Sequence, residues 1–137
     1  MGSGLFSDKF AVFEKSMGLH QQRLGVIANN VANADTPGYQ AKRLEFEDSL
    51  RQAVSGGDEN LTMTRTHPNH MGVGGDLSAV RGEVREVAQG GRVDGNTVNT
   101  QQELERLGET RLIYRVVSEL AARKASGIKY AITSGGR

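Results

Sequence analysis

Phe6, Phe10, Phe13, Met17, Leu24, Ile27 and Val31, with His20 filling the one polar step, follow one another at spacings of 4, 3, 4, 3, 4, 3, 4. Alternating threes and fours keep side chains on one seam of a helix, so this is a heptad stripe sustained for almost four heptads. It predicts an N-terminal helix within residues 5–35, opened by Ser7 or Asp8 and closed by Pro37-Gly38. At 1.5 Å per residue, roughly 28 helical residues extend about 42 Å. A chain of 137 residues cannot cover a helix of that length alone. A helical hairpin would bury part of the seam; the reading favoured is a coiled-coil contact that also extends to other chains.

The last third repeats the pattern. Asp94-Gly95-Asn96 is a turn signal, and Thr100-Gln101-Gln102-Glu103 fits a capping box, with the Thr hydroxyl and Glu carboxylate satisfying free amides. A helix over 100–133 then carries Leu104, Leu107, Tyr114, Ala121, Ile128 and Ile132 on a heptad frame, with Arg111, Ser118 and Ala125 at the missing steps. A second stripe, Ile113, Val117 and Leu120, widens the apolar surface beyond one seam, so this helix has more than one neighbour to satisfy. Residues 36–99 form a turn and a loop-rich middle segment. Glycine and small polar residues dominate it, and Leu61–Thr64 and Arg85–Val87 are its short strand candidates. The fold class is therefore mainly α: two long terminal helices with an irregular, partly β, Gly-rich middle, all in one unit.

Composition narrows the function. The net charge of +1 gives no bulk attraction to nucleic acid or anionic membrane. With 36% hydrophobic residues and 18 glycines, the core is thin, and burial must come partly from partners. The absence of cysteine removes disulfides and thiol chemistry. No apolar run reaches the roughly 18–20 residues of a membrane span, and the N-terminus lacks a secretory h-region. His67 and His70, three apart beside Pro68, lack the further ligands a zinc site needs. Gly72-Val73-Gly74-Gly75 lacks the Lys-Ser/Thr of a phosphate loop. His20 reads as a hydrogen-bonding interface residue rather than a base. No enzyme, metal or cofactor is expected.

The stretch Ala28–Tyr39, ANNVANADTPGY, ends the first helix with Asn29, Asn30 and Asn33 on adjoining positions. Buried amides must find partners, so they set register and partner choice at some cost in stability. Pro37 presets φ at the second position of a type II turn, and Gly38 accepts positive φ at the third. The stretch resembles the A-N-N-x-A-N-x-x-T-P-G-Y signature of bacterial flagellar axial proteins, the rod, hook and hook-associated subunits. The short chain, Asp35, Phe46 and the run Asp94-Gly95-Asn96-Thr97-Val98-Asn99 are most similar to the proximal rod members. The likeness covers both ends, about two-thirds of the chain.

The resemblance implies that the terminal helices pair as a coiled-coil inner domain and that subunits pack helically around a channel. It assigns helix pairing and subunit contact to Phe6, Phe10, Phe13, Met17, Leu24, Ile27 and Val31 against Leu104, Leu107, Tyr114, Val117, Ala121 and Ile128. Asn29, Asn30 and Asn33 fix register, and Asp35, Thr36, Pro37, Gly38 and Tyr39 complete the signature and direct the chain outward. The implied partners are copies of itself, rod proteins of the FlgC, FlgF and FlgG types, the ring-to-rod adaptor FliE, the MS ring and the type III export gate. The implied location is the periplasmic rod, reached by flagellar type III export without a cleaved signal. Two alternatives stay open: another rod subunit of the FlgC type, and a soluble helical adaptor or export chaperone.

Overall fold

The computed structural model describes residues 3–55, 77–87 and 92–134, with side chains from residue 10 onward. Its elements are α1 (Ser3–Ala32), β1 (Lys42–Glu45), α2 (Glu47–Ser55), β2 (Glu83–Glu86) and α3 (Thr100–Ser134). The protein is thus mainly helical, with the two longest helices at its ends. α1 begins at Ser3, ahead of the expected Ser7 or Asp8 cap. At 1.5 Å per residue its 30 residues span about 45 Å, and the 35 of α3 about 52 Å. The two pack against each other. Because Asn30 in the last turn of α1 bonds Glu103 in the first turn of α3, they run antiparallel.

The face of α3 turned to α1 has its own sequence register. Buried or half-buried positions fall at Glu103, Arg106, Leu107, Thr110, Tyr114, Val117, Ser118, Ala121, Lys124 and Ile128. Leu107, Tyr114, Ala121 and Ile128 keep the expected frame. At three intervening steps the inward residue lies one earlier than expected, Glu103, Thr110 and Lys124 in place of Leu104, Arg111 and Ala125, while Val117 and Ser118 are both half-buried. Leu104 consequently stands 52% exposed, while Glu103 is buried. The cause is polar: the buried Asn30 amide requires an acceptor, and the Glu103 carboxylate supplies it.

β1 and β2 form an antiparallel pair with Arg43 opposite Arg85 and Leu44 opposite Val84. The β2 strand overlaps the strand candidate at Arg85–Val87, whereas α2 falls where only loop and strand were expected. A nine-residue amphipathic helix is too short to show a clear period in sequence, and its first turn carries Glu47 and Asp48, which favour a helix N-terminus. The strand expected at Leu61–Thr64, the Gly72–Gly75 run and the His67/His70 pair lie outside the described residues. Leu19, Leu44, Phe46 and Val80 form one small core, with Val26, Leu50 and Ala53 packed on it. Ala34, Ala41 and Val98 form a second.

Candidate assembly site

The signature at the end of α1 is built as a clasp. Asn33 N–H donates to the carbonyls of both Asn29 and Asn30, and Ala34 N–H to that of Val31, so the last turn tightens before the helix stops. Tyr39 N–H then donates to Thr36 O across Pro37-Gly38, where Gly38 has φ +71°. This hydrogen bond and the positive φ are the type II geometry that Pro-Gly favours. The turn does not send the chain outward. It folds it back along α1, because the α1 side chains bind the returning backbone.

Asn30, fully buried, carries that binding. Its Nδ2 donates to Lys42 O at 2.7 Å and to Glu103 Oε2 at 2.9 Å. Its Oδ1 accepts Lys42 N–H at 2.9 Å and the Tyr39 hydroxyl at 3.4 Å. One amide therefore pairs with both backbone groups of Lys42, as a neighbouring strand would, and also ties β1 to α3. All four of its hydrogen-bonding positions are occupied, which makes burial of the group tolerable.

Asn96, also fully buried, does the same for the second half of the clasp. Its Nδ2 lies 2.8–3.0 Å from the carbonyls of Asn33, Ala34 and Thr36, in the turn just past the end of α1. Its Oδ1 accepts Val98 N–H at 2.7 Å. Gly38 N–H donates to Asp94 O, Thr97 N–H to Tyr39 O, and the Thr97 hydroxyl accepts Ala41 N–H. The two turns are close enough that a Cβ on Gly95, itself at φ +77°, would lie 3.6 Å from Gly38 Cα. Arg92 adds a bond to Ala34 O and lies near Asp35 and Asp94. The chain leaves this clasp directly into α3.

The α3 cap differs from the expected box. Asn99, not Thr100, caps the helix, its Oδ1 accepting Gln102 N–H at 3.2 Å. The Glu103 carboxylate bonds Asn30 and Arg106 instead of reaching back to the cap. Asparagine is the better cap residue, which frees Glu103 to serve the buried amide.

A second junction fastens β1 and α2 to α1. The Arg23 guanidinium lies 4.3 Å over the Phe46 ring, donates to Leu44 O through Nε and Nη2, and pairs with Glu47 at 2.6 Å. That hydrogen bond, more than any other effect, holds the Glu47 carboxyl down at about 2. His20, buried, meets the edge of Phe46 at 5.1 Å. Its Nδ1 has no hydrogen-bond partner among the described residues, contrary to the expected bonding role. Desolvation first, and the nearby Arg23 charge second, push the imidazole below its usual value, while Glu47 acts in the opposite sense.

Of the residues assigned to helix contact, Ile27 is buried, and Phe10, Phe13, Met17, Leu24 and Val31 are half-buried. Leu107, Tyr114, Val117, Ala121 and Ile128 are half-buried as well, and the Phe6 side chain lies outside the described residues. Asn29, Asp35, Thr36, Pro37 and Gly38 are exposed, whereas Asn33 and Tyr39 are half-buried. Asn33 acts locally, donating to Asn29 O and accepting the Thr36 hydroxyl. Sequence reasoning missed Asn96, Arg23 and Glu103 as organisers. Asn96 carried a signal, since it sits in the D-G-N turn, but its three acceptors come from residues about 60 positions away.

Among the described residues no three His, Asp or Glu side chains gather as a metal site, and no helix is long and apolar enough to cross a membrane. The arrangement is a polar joint between two long helices. The family described as "Flagella basal body rod protein" matches residues 17–40, the end of α1 and the first turn of the clasp. The flagellar basal body rod protein FlgB of Aeromonas hydrophila is 31% identical over 127 residues, covering 88% of this chain and 94% of that protein. The FlgB of Cereibacter sphaeroides (strain ATCC 17029 / ATH 2.4.9) is 33% identical over 129 residues, covering 93% and 95%. That of Bacillus subtilis (strain 168) is 29% identical over 134 residues, covering 96% and 98%. On identity of this level across nearly the whole length, and with the signature forming the joint of the fold, the chain belongs to the flagellar basal body rod protein FlgB family.

Proposed function

We propose that this chain is a structural subunit, not an enzyme, of the proximal flagellar rod. Copies assemble helically with other rod proteins into the shaft that carries torque from the membrane ring to the hook and encloses the export channel. The observation that carries this reading is an apolar ridge left uncovered on α3: Leu112, Val116 and Leu120 are 62%, 48% and 48% exposed, at successive four-residue steps. A chain whose own cores are so small gains burial by placing that ridge against a neighbour. Contacts between different faces of identical subunits generate a helix of subunits wherever their rotation does not close into a ring.

In this reading the α1–α3 pair is the coiled-coil-like inner unit. The 4, 3, 4, 3 spacing of the α3 residues turned to α1 supports it. Phe6, Phe10, Phe13, Met17, Leu24, Ile27 and Val31 serve pairing and subunit contact with Leu107, Tyr114, Val117, Ala121 and Ile128, and Leu104 belongs to the outer contact. Asn29 and Asn33, with Asp35 to Tyr39, set the register. The partners are further copies, FlgC, FlgF and FlgG type rod proteins, the FliE adaptor, the MS ring and the export gate, and the chain reaches the periplasm by flagellar type III export.

Quantitative mass spectrometry of purified hook–basal bodies, with the cytoplasmic fraction alongside, tests this. Several copies per basal body, scaling with the other rod proteins, are expected. Absence from basal bodies with a stable cytoplasmic pool would overturn the rod reading in favour of a soluble adaptor.

A further inference from the structure

The turn that leads into the clasp carries an apolar side chain that the fold does not use. Gly95 N–H donates to Arg92 O at 2.8 Å and Arg92 N–H to Asn96 O at 3.2 Å, which fixes Val93 and Asp94 at the tip of the turn. Val93 is wholly exposed there. Turn tips ordinarily carry glycine, proline or small polar residues, and a β-branched side chain brings the turn nothing. Three charges stand with it: Arg92 lies 3.9 Å from the fully exposed Asp35 and 3.6 Å from Asp94. A cleft of about 370 Å³ opens between α1, β1 and α3. Val26, Ile27, Leu44 and Ile113 supply its apolar surface, and Lys42, Arg43 and Glu109 are exposed along it. None of these three charges has an opposite partner among the described residues, whereas Arg23 is paired with Glu47 and Arg106 with Glu103. The protruding tip is thus an apolar point beside two acids and one base, and the cleft an apolar hollow edged by two bases and one acid.

We infer that Val93 of one copy seats in the α1–β1–α3 cleft of the next, with Asp35 and Asp94 turned to Lys42 and Arg43, and Arg92 to Glu109. The opposite charge patterns make a second copy the occupant, because charges across a contact are arranged to match. An apolar anchor in a pocket, ringed by polar groups that exclude water, is also where contact energy between proteins concentrates. A chain's own Val93 stays wholly exposed, so no chain fills its own cleft. The contact therefore joins unlike parts of identical subunits, and each copy offers one tip and one cleft to its neighbours. It gives Asp35, which the fold leaves at the surface, a partner in assembly. The contact rests on the rod reading, since it joins assembled copies, and it is separate from the Leu112–Leu120 ridge.

Cross-linking in purified basal bodies tests the contact where the chain is assembled. The chain has no cysteine, and Val93 and Ile113 are both exposed, so Val93→Cys and Ile113→Cys leave the fold in place. With both substitutions in one chain, oxidation should give a ladder of linked copies longer than a dimer, and either substitution alone should give no product. In that background Asp35→Arg or Arg43→Asp, each at an exposed position, should lower the yield several-fold by facing like charges across the contact. The two together should restore it. A photo-reactive benzoylphenylalanine at position 93 provides a second reading: its adducts, mapped by mass spectrometry, should fall on β1 or α3 of another copy. Basal bodies that contain the chain without the 93–113 link, equal links from a single cysteine, or adducts on a different protein would each overturn the contact and leave the rod reading standing. Absence of the wild-type chain from basal bodies would overturn both.

Discussion

Asn30 shows why a helix gives up propensity at its end. Its amide costs helix stability locally, yet it satisfies Lys42, Tyr39 and Glu103 at once. Replacing it with alanine leaves the Lys42 amide and carbonyl and the Glu103 carboxylate short of partners in a buried site. The expected loss is about 3 kcal/mol or more in urea unfolding. Asn30→Asp keeps the shape but sets a carboxylate against Glu103. It should be destabilised at pH 7 beyond the alanine variant, because two carboxylates then face each other in a buried site. The glycines are a contrasting case. A Cβ on Gly38 meets nothing within 4 Å, and one on Gly95 meets only Gly38 Cα at an ordinary 3.6 Å. Gly38→Ala and Gly95→Ala should therefore cost only the backbone strain of positive φ, about 1–2 kcal/mol each. Gly38→Asn should lose less, since asparagine tolerates that region. Equal losses for alanine and asparagine would indicate a steric cause instead.

At the scale of elements, the junction of α1 with β1 and α2 depends on Phe46 between Arg23 and His20. His20 is held neutral by burial and by Arg23, so its folded value lies below the ordinary 6.5. Below pH 6.5 the unfolded chain binds a proton that the folded chain does not, and stability falls as pH drops. Glu47, held at about 2, adds stability that is complete above pH 4.5 and is lost as pH falls toward 2. Unfolding midpoints should thus decline in two windows, the upper one opening as pH falls through the ordinary histidine value of 6.5. Substituting His20→Phe should flatten only the upper window; an unchanged slope there would show that another group is titrating. The sheet has its own sensitive point. A Cβ on Gly82 would lie 2.6–2.9 Å from the buried Leu44 side chain. Gly82→Ala should cost about 1–3 kcal/mol by overpacking, and Leu44→Ala in the same chain should relieve that clash, giving a clearly non-additive double mutant.

At the scale of the whole molecule, two long helices are held by polar joints more than by a core. Both joints lie toward one end of the α1–α3 pair, and the far end of α3 is left uncovered: Tyr130 and Ile132 are 72% and 74% exposed. Tyr130→Ala should accordingly leave the unfolding midpoint of the isolated chain within about 0.5 kcal/mol of wild type. The same variant should reduce incorporation into basal bodies, measured by mass spectrometry, and full incorporation would show that this end makes no contact there. The sequence alone determined the two terminal helices, the stop at Thr36-Pro37-Gly38-Tyr39, the thinness of the core and the family likeness. Each of these is a local property, set by period, proline and glycine backbone preferences, or composition. The tertiary structure decided what depends on residues far apart. It brought Glu103 rather than Leu104 onto α1, because Asn30 needed an acceptor 73 positions away. It set Asn96 under the end of α1, and it turned the chain back along that helix instead of outward. Periodicity ranks faces by apolar content, whereas a buried amide goes where its hydrogen bonds can be met. Only the folded chain shows where that is.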